Sequence, residues 1–239
     1  MKIKVVTLCS GYDSQCLALE RLKRDYPGFD YELVAWSEFD PESKLPIDKQ
    51  PAVIAHNALF PQWAGRNLGD MTKIDWTRLK GERIDLLTYS TPCTDVSQAG
   101  LQKGIAEGSG TRSSILWYTR NAIKVLRPKF LMMENVKALV SKKFKPFYDK
   151  WIAELYELGY DSYARVCNGT EVNVPQNRER IFVVSVRRDS EREPEYKFPN
   201  PLPCTRTVED ILEDEVDEKF YLKDERVQDF IERIQHGEG

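Results

Sequence analysis

The chain has 239 residues, 35 Lys/Arg against 38 Asp/Glu (net charge −3), 41% hydrophobic and 31% charged, which describes one ordinary globular domain or one domain with an appendage. No apolar run approaches the roughly 18 residues that cross a bilayer, and the N-terminus has no apolar block or cleavage site of a secretory signal. Five cysteines without CxxC or Cys/His spacing, beside two histidines, suggest neither a disulfide framework nor a metal site, so a reducing, cytoplasmic setting is expected.

In chain order, Lys4–Leu8, Leu33–Ser37, Ile84–Tyr89, Phe130–Met133 and Ile181–Val186 read as short, mostly buried strands. Between them, Arg112–Arg127 carries a helical stripe through Ile115, Leu116, Thr119, Ala122, Ile123 and Leu126, stopped by Pro128. Phe144–Leu158 repeats it through Phe147, Trp151, Leu155 and Leu158, with Gly159 as C-cap. Such alternation predicts an α/β fold, a doubly wound, mostly parallel sheet with helices on both faces. Ligands of such sheets sit at the carboxyl ends of the strands.

The residues at those ends carry chemistry. Gly11, in the turn Leu8-Cys9-Ser10-Gly11-Tyr12-Asp13, suits close backbone approach to a nucleotide-like ligand or a plain tight turn. Glu38, 27 positions on in Ser37-Glu38-Phe39-Asp40, can accept hydrogen bonds from ribose hydroxyls or cap the next helix. Gly69-Asp70-Met71 offers a carboxylate to an adenine amino group. Cys93 stands in the polar loop Thr91-Pro92-Cys93-Thr94-Asp95, where simple burial is less natural for a thiol. Glu134 follows the strand Phe130–Met133 at the same edge. A thiolate and a carboxylic acid form a chemically sensible pair. Carbon 5 of cytosine becomes nucleophilic only after a thiolate adds to carbon 6, and protonation at N3 eases that addition.

In order, Pro92-Cys93, Glu134-Asn135-Val136 and Gln176-Asn177-Arg178-Glu179-Arg180 resemble the core motifs of the DNA (cytosine-5) methyltransferases. Weaker matches lie at Arg112-Ser113-Ser114-Ile115 and Gly159-Tyr160, and the likeness runs from Val5 to about Val186. The resemblance implies a Rossmann-like methyltransferase fold using S-adenosyl-L-methionine, with duplex DNA as partner and a base flipped into the site. It implies Cys93 as nucleophile, Glu134 at N3 and the exocyclic amine, Arg180 at O2, and Arg178 on phosphate or the catalytic loop. Cofactor contacts are implied for Cys9, Gly11, Glu38, Phe39, Asp70, Met71, Pro92 and Ile115, with no metal. Residues 94–111, rich in Gly, Ser and Gln, are expected to close over the base. Restriction-modification or phage DNA modification is the expected setting.

Four positions depart from the family pattern: Asp13 and Asn173 stand where glycines are usual, Cys9 where an aromatic is, and Thr94 where glutamine follows the cysteine. Residues 1–190 are expected to form the catalytic domain, net +5, with basic clusters at Lys142, Lys143 and Lys145 and at Arg178, Arg180, Arg187 and Arg188. Residues 191–239 hold 15 acidic and 7 basic residues. They are expected to be a Pro-rich acidic linker with a short helix at Asp224–Ile234. The family continues with a target-recognition region, so that part is expected on a separate C-terminal subunit or the remainder of an interrupted enzyme. The competing expectations are a transfer RNA cytosine-5 methyltransferase and a non-catalytic regulatory subunit. A Rossmann dehydrogenase is disfavoured, because Gly-x-Gly-x-x-Gly is missing.

Overall fold

A computed structural model describes residues 1–96, 105–189, 195–221 and 224–235. A six-stranded sheet is built from β1 (Lys2–Leu8), β2 (Asp30–Ser37), β3 (Leu86–Tyr89), β4 (Phe130–Val136), β5 (Tyr160–Asn168) and β6 (Glu179–Arg187). The strand order is β2-β1-β3-β4-β6-β5, with β6 antiparallel to β4 and β5 and the other pairs parallel. The mostly parallel, doubly wound sheet expected from the sequence is therefore present.

Alternation along β1 explains the two layers. Val6 and Leu8 enter one core with Leu87, Tyr89, Leu131 and Met133, covered by helices α3 (Thr119–Leu126) and α4 (Lys145–Glu157). Val5 enters the other with Cys16, Leu19, Leu33 and Trp36, covered by α1 (Ser14–Asp25) and α2 (Pro51–Leu59). A pleated strand sends neighbouring side chains to opposite faces, so one short strand seeds both cores. On the α1 side, alternate residues Met132 and Glu134 of β4 and Phe182 of β6 are only half-buried. That leaves Glu134 accessible near the end of a mostly apolar strand.

Two elements differ from expectation. The stretch Arg112–Arg127 is not one α-helix: Arg112–Tyr118 is a 3-10 helix and α3 begins at Thr119. The Ser113 amide donates to the Asp95 carboxylate (2.9 Å) and the Trp117 indole to the Ile105 carbonyl (2.7 Å), which ties this turn to the loop before it. The other is β5, which the apolar pattern did not reveal. It is an edge strand, and of its nine residues only Tyr160 is buried, so it shows little of the apolar signature of a central strand.

Beyond β6 the chain runs back along this edge. The Leu202 amide donates to the Glu171 carbonyl (2.7 Å), the Arg165 guanidinium to the Pro199 carbonyl (2.7 Å), and Tyr196 packs between Tyr163 and Phe198. The last helix, α5, spans Asp224–Gln235. No helix among the described residues is long and apolar enough to cross a membrane, and no three His, Cys, Asp or Glu side chains among them are grouped to hold a metal.

Candidate functional site

The turn after β1 is built from alternating left-handed residues, Cys9 (φ 51°), Gly11 (φ 58°) and Asp13 (φ 65°). Glycine adopts this region freely, while side chains need compensation. Asp13 has it: one carboxylate oxygen accepts from the Cys16 amide (3.0 Å), capping α1, and the other from the Thr7 hydroxyl (2.7 Å). Nε2 of the fully buried His56 lies 3.6 Å from the same carboxylate, and its ring stacks on Trp36. The backbone of Cys9–Asp13 is thus anchored from below.

Next to it, the Gly11 amide donates to Glu38 Oε2 at 2.6 Å. Asn67 bonds both backbone groups of Glu38, its Oδ1 accepting from the amide (3.1 Å) and its Nδ2 donating to the carbonyl (3.2 Å). The same Oδ1 accepts from the Gly69 amide (2.9 Å). Asn67 therefore joins the Glu38 and Asp70 segments, a role that sequence reading missed. Its signal was the turn-forming run Asn67-Leu68-Gly69-Asp70. All eight residues expected to meet a cofactor, Cys9, Gly11, Glu38, Phe39, Asp70, Met71, Pro92 and Ile115, line one cavity of about 470 Å³. Arg112, which sequence reading did not single out for the site, also lines it, pairing with Asp40 (3.5 Å). The volume suits a ligand of nucleoside size.

Burial raises the Glu38 carboxyl above its ordinary range, opposed by the Gly11 amide. Asp70 differs. Burial pushes it up, but the Thr72 hydroxyl and amide and Lys73 together hold it below the usual value. Cys9 is half-buried, and desolvation raises its thiol, so it stays protonated beside Met71.

A second cavity of about 620 Å³ lies on the α1 side of β4 and β6, lined by Glu134, Arg178, Gln15, Met132 and Phe182 among others. Ser90, at the end of β3, lines both cavities and so forms their common wall. Arg180 Nε stands 3.1 Å from Glu134 Oε1. The antiparallel register pairs Glu134 with Phe182 and Val136 with Arg180, making the two side chains diagonal neighbours. Burial raises the Glu134 carboxyl, with Arg180, Arg178 and the Ser90 hydroxyl acting in the opposite direction. It is an acid shifted towards its protonated form and flanked by cations.

Cys93 is half-buried against the larger core, one residue after Pro92. Among the described residues neither cavity counts Cys93 or Arg180 in its wall. The loop is nevertheless tied to the Glu134 strand, because Asn135 Nδ2 donates to the Thr91 carbonyl (3.1 Å). Asp95 and Ser113 bond reciprocally, amide to hydroxyl (3.2 Å) and amide to carboxylate (2.9 Å). These bonds bring the two ends of the expected mobile loop together. Residues 97–104 of that loop lie outside the described residues.

Known proteins resemble this chain in sequence and in fold. The family described as C-5 cytosine-specific DNA methylase matches residues 3–239. The type II methyltransferase M2.ScrFI of Lactococcus lactis subsp. cremoris is 43% identical over 164 residues, covering 69% of this chain and 44% of that protein. The orphan methyltransferase M.SssI of Spiroplasma monobiae is 34% identical over 197 residues, 79% of this chain and 49% of its own length. The chain thus spans about half the length of these curated relatives. Among solved structures, a Spodoptera frugiperda DNMT2 mutant superposes with a TM-score of 0.67 at 20% identity, over 92% of this chain and 62% of that one. A putative DNA modification methyltransferase encoded within a prophage (E. coli) gives 0.59 at 21%, over 84% and 53%. Those two establish the fold. With the family match extending over nearly the whole sequence, the chain belongs to the C-5 cytosine-specific DNA methylase family.

Proposed function

We propose that this chain is the catalytic part of an enzyme that methylates carbon 5 of cytosine in duplex DNA, using S-adenosyl-L-methionine in a cytoplasmic setting. The observation that carries the reading is the pair of cavities sharing Ser90. One is lined by every residue expected to meet the cofactor, and the other holds Glu134. When bound, the cofactor supplies a methyl group on a positively charged sulfur. The rest falls to the chain's own side chains. Glu38 would accept from the ribose hydroxyls, Asp70 would receive the adenine amino group, and the Gly11 turn would let the backbone approach.

On the substrate side, the Cys93 thiolate forms a bond to carbon 6 of the flipped cytosine while Glu134 gives a proton to N3. The ring is then an enamine, nucleophilic at carbon 5. After methylation, loss of the proton at carbon 5 to water expels the thiolate, and N3 returns its proton to Glu134, which restores the ring. Glu134 suits its part because burial favours the protonated acid. Arg180, held against it, can reach O2 of the base, and Arg178 can hold phosphate. The clusters Lys142, Lys143, Lys145 and Arg178 to Arg188 would supply salt-sensitive phosphate contacts. Groups that read sequence in a groove are assigned to a C-terminal recognition part, since these residues cover about half of the relatives.

Two relatives are named as type II and orphan methyltransferases, which favours restriction-modification or phage DNA modification as the setting. Transfer of a tritiated methyl group to duplex DNA and to transfer RNA, with the C-terminal half of a relative supplied and withheld, tests the proposal. Labelling of cytosine carbon 5 in duplex DNA is expected. Labelling confined to transfer RNA would overturn it.

A further inference from the structure

Gln15 belongs to none of the motifs that define the family resemblance. It opens α1, yet its side chain reaches 75 positions along the chain to Ser90, with Nε2 donating to Ser90 Oγ at 2.7 Å. The amide orientation is supported at its other end, where the Ser14 hydroxyl donates to Gln15 Oε1 (3.4 Å). Gln15, Ser90 and Glu134 line the same cavity, where the Ser90 hydroxyl lies near enough to the Glu134 carboxyl to favour its ionised form.

The geometry points to Gln15 and Ser90 as positioning residues that orient the Glu134 carboxyl towards the base. A serine hydroxyl has one hydrogen to give and lone pairs to receive. With its oxygen receiving from Gln15, that hydrogen is directed to Glu134. In this arrangement Ser90, just after β3, would hold one side of the carboxyl and Arg180 of β6 stands 3.1 Å from another, leaving the remaining side for a proton and a base. Ser90 also walls the cofactor cavity, so this contact holds the acid where the two ligands would meet. The inference rests on the reading of Glu134 as the acid. Other ionisable groups facing it are Arg178 and Arg180, with Tyr12 in the same cavity wall.

The test follows the Glu134 carboxyl itself by carbon-13 NMR titration of glutamate-labelled protein, the resonance being assigned by Glu134→Gln. This readout needs no turnover. Ser90→Ala removes a donor to the ionised form, so the midpoint should rise by about one pH unit. Ser90→Gly is a second substitution at that position. Gln15→Met keeps the side-chain volume but loses the donor, and should raise the midpoint by a smaller amount. On a Ser90→Ala background Gln15→Met should then add nothing, because the effect travels through the hydroxyl. An unmoved midpoint in both Ser90 variants, or a full Gln15→Met shift without Ser90, would overturn the inference. If instead Glu134→Gln retains full methyl transfer, the reading of Glu134 fails while the titrations still report on the contact.

Discussion

Arg180 Nε lies 3.1 Å from Glu134 Oε1, across adjacent antiparallel strands. The guanidinium favours the ionised carboxylate, whereas burial favours the acid and prevails. The pair is thus an acid with a cation beside it rather than a simple ion pair. Both side chains are about a quarter exposed (22% and 28%), so water and a base can reach them.

Arg180→Met should therefore raise the Glu134 midpoint further, since it removes an influence that lowers it. In a pH profile of methyl transfer, the limb that falls as pH rises through this group should move to higher pH. The rate should drop about a hundredfold, the scale of one lost charge-assisted hydrogen bond, with cofactor affinity within twofold. An unchanged rate and profile would separate Arg180 from the chemistry.

Glu38 leads to a prediction with an explicit sign. Its carboxyl is raised, chiefly by burial, and only the ionised form accepts from two ribose hydroxyls. Cofactor affinity should therefore weaken as pH falls, starting above the range of an ordinary glutamate. Glu38→Gln should weaken binding by about 1.5–3 kcal/mol at neutral pH and abolish this pH dependence. Linkage adds a second consequence. A raised carboxyl stabilises the fold below the unfolded-state value, and that stabilisation is lost as pH rises through the folded one. Near neutral pH, Glu38→Gln without cofactor should melt slightly higher than the parent. Calorimetry and thermal unfolding check the two halves, and unchanged affinity would place the ribose elsewhere.

Beneath the same turn, Asp13 holds Thr7, Cys16 and His56 together. Asp13→Gly relieves the left-handed backbone but leaves two buried polar partners unsatisfied. The loss should win, lowering stability in urea unfolding by about 1–3 kcal/mol. His56→Ala should cost about 3 kcal/mol, through the cavity it leaves beside Trp36. A glycine variant as stable as the parent would show that the buried pair contributes nothing net.

Much of this was legible in the sequence, for identifiable reasons. The strands are largely apolar runs, and the turns after β1 and β2 hold Gly11 and Glu38, with Glu134 near the end of β4, whereas Asp70 lies in a loop that follows no strand. The residues at the usual glycine positions keep the glycine-like backbone. Asp13 (φ 65°) and Asn173 (φ 60°) both adopt the glycine-like backbone, which Asp and Asn tolerate best. Asn173 also receives the Thr205 and Arg206 amides (2.9 and 3.2 Å), fastening the segment after β6. Hidden from the sequence were contacts made only by the closed fold. Asn67 bridging to Glu38, His56 beneath Asp13 and Gln15 reaching Ser90 lie 29, 43 and 75 positions from their partners, and no periodicity connects such distances. Edge strand β5 escaped because partial exposure dilutes its apolar pattern.

The most direct test of the central claim is covalent capture. Duplex DNA carrying 5-fluorocytosine is incubated with S-adenosyl-L-methionine and the chain, alone and with the C-terminal half of the Lactococcus relative added. Adducts are then counted on denaturing gels. Fluorine at carbon 5 prevents the final elimination, so attack by Cys93 on carbon 6 should leave a stable, cofactor-dependent adduct that Cys93→Ser abolishes while still binding cofactor. An adduct formed equally well by Cys93→Ser, or methyl transfer by that variant at the parent rate, would contradict the account.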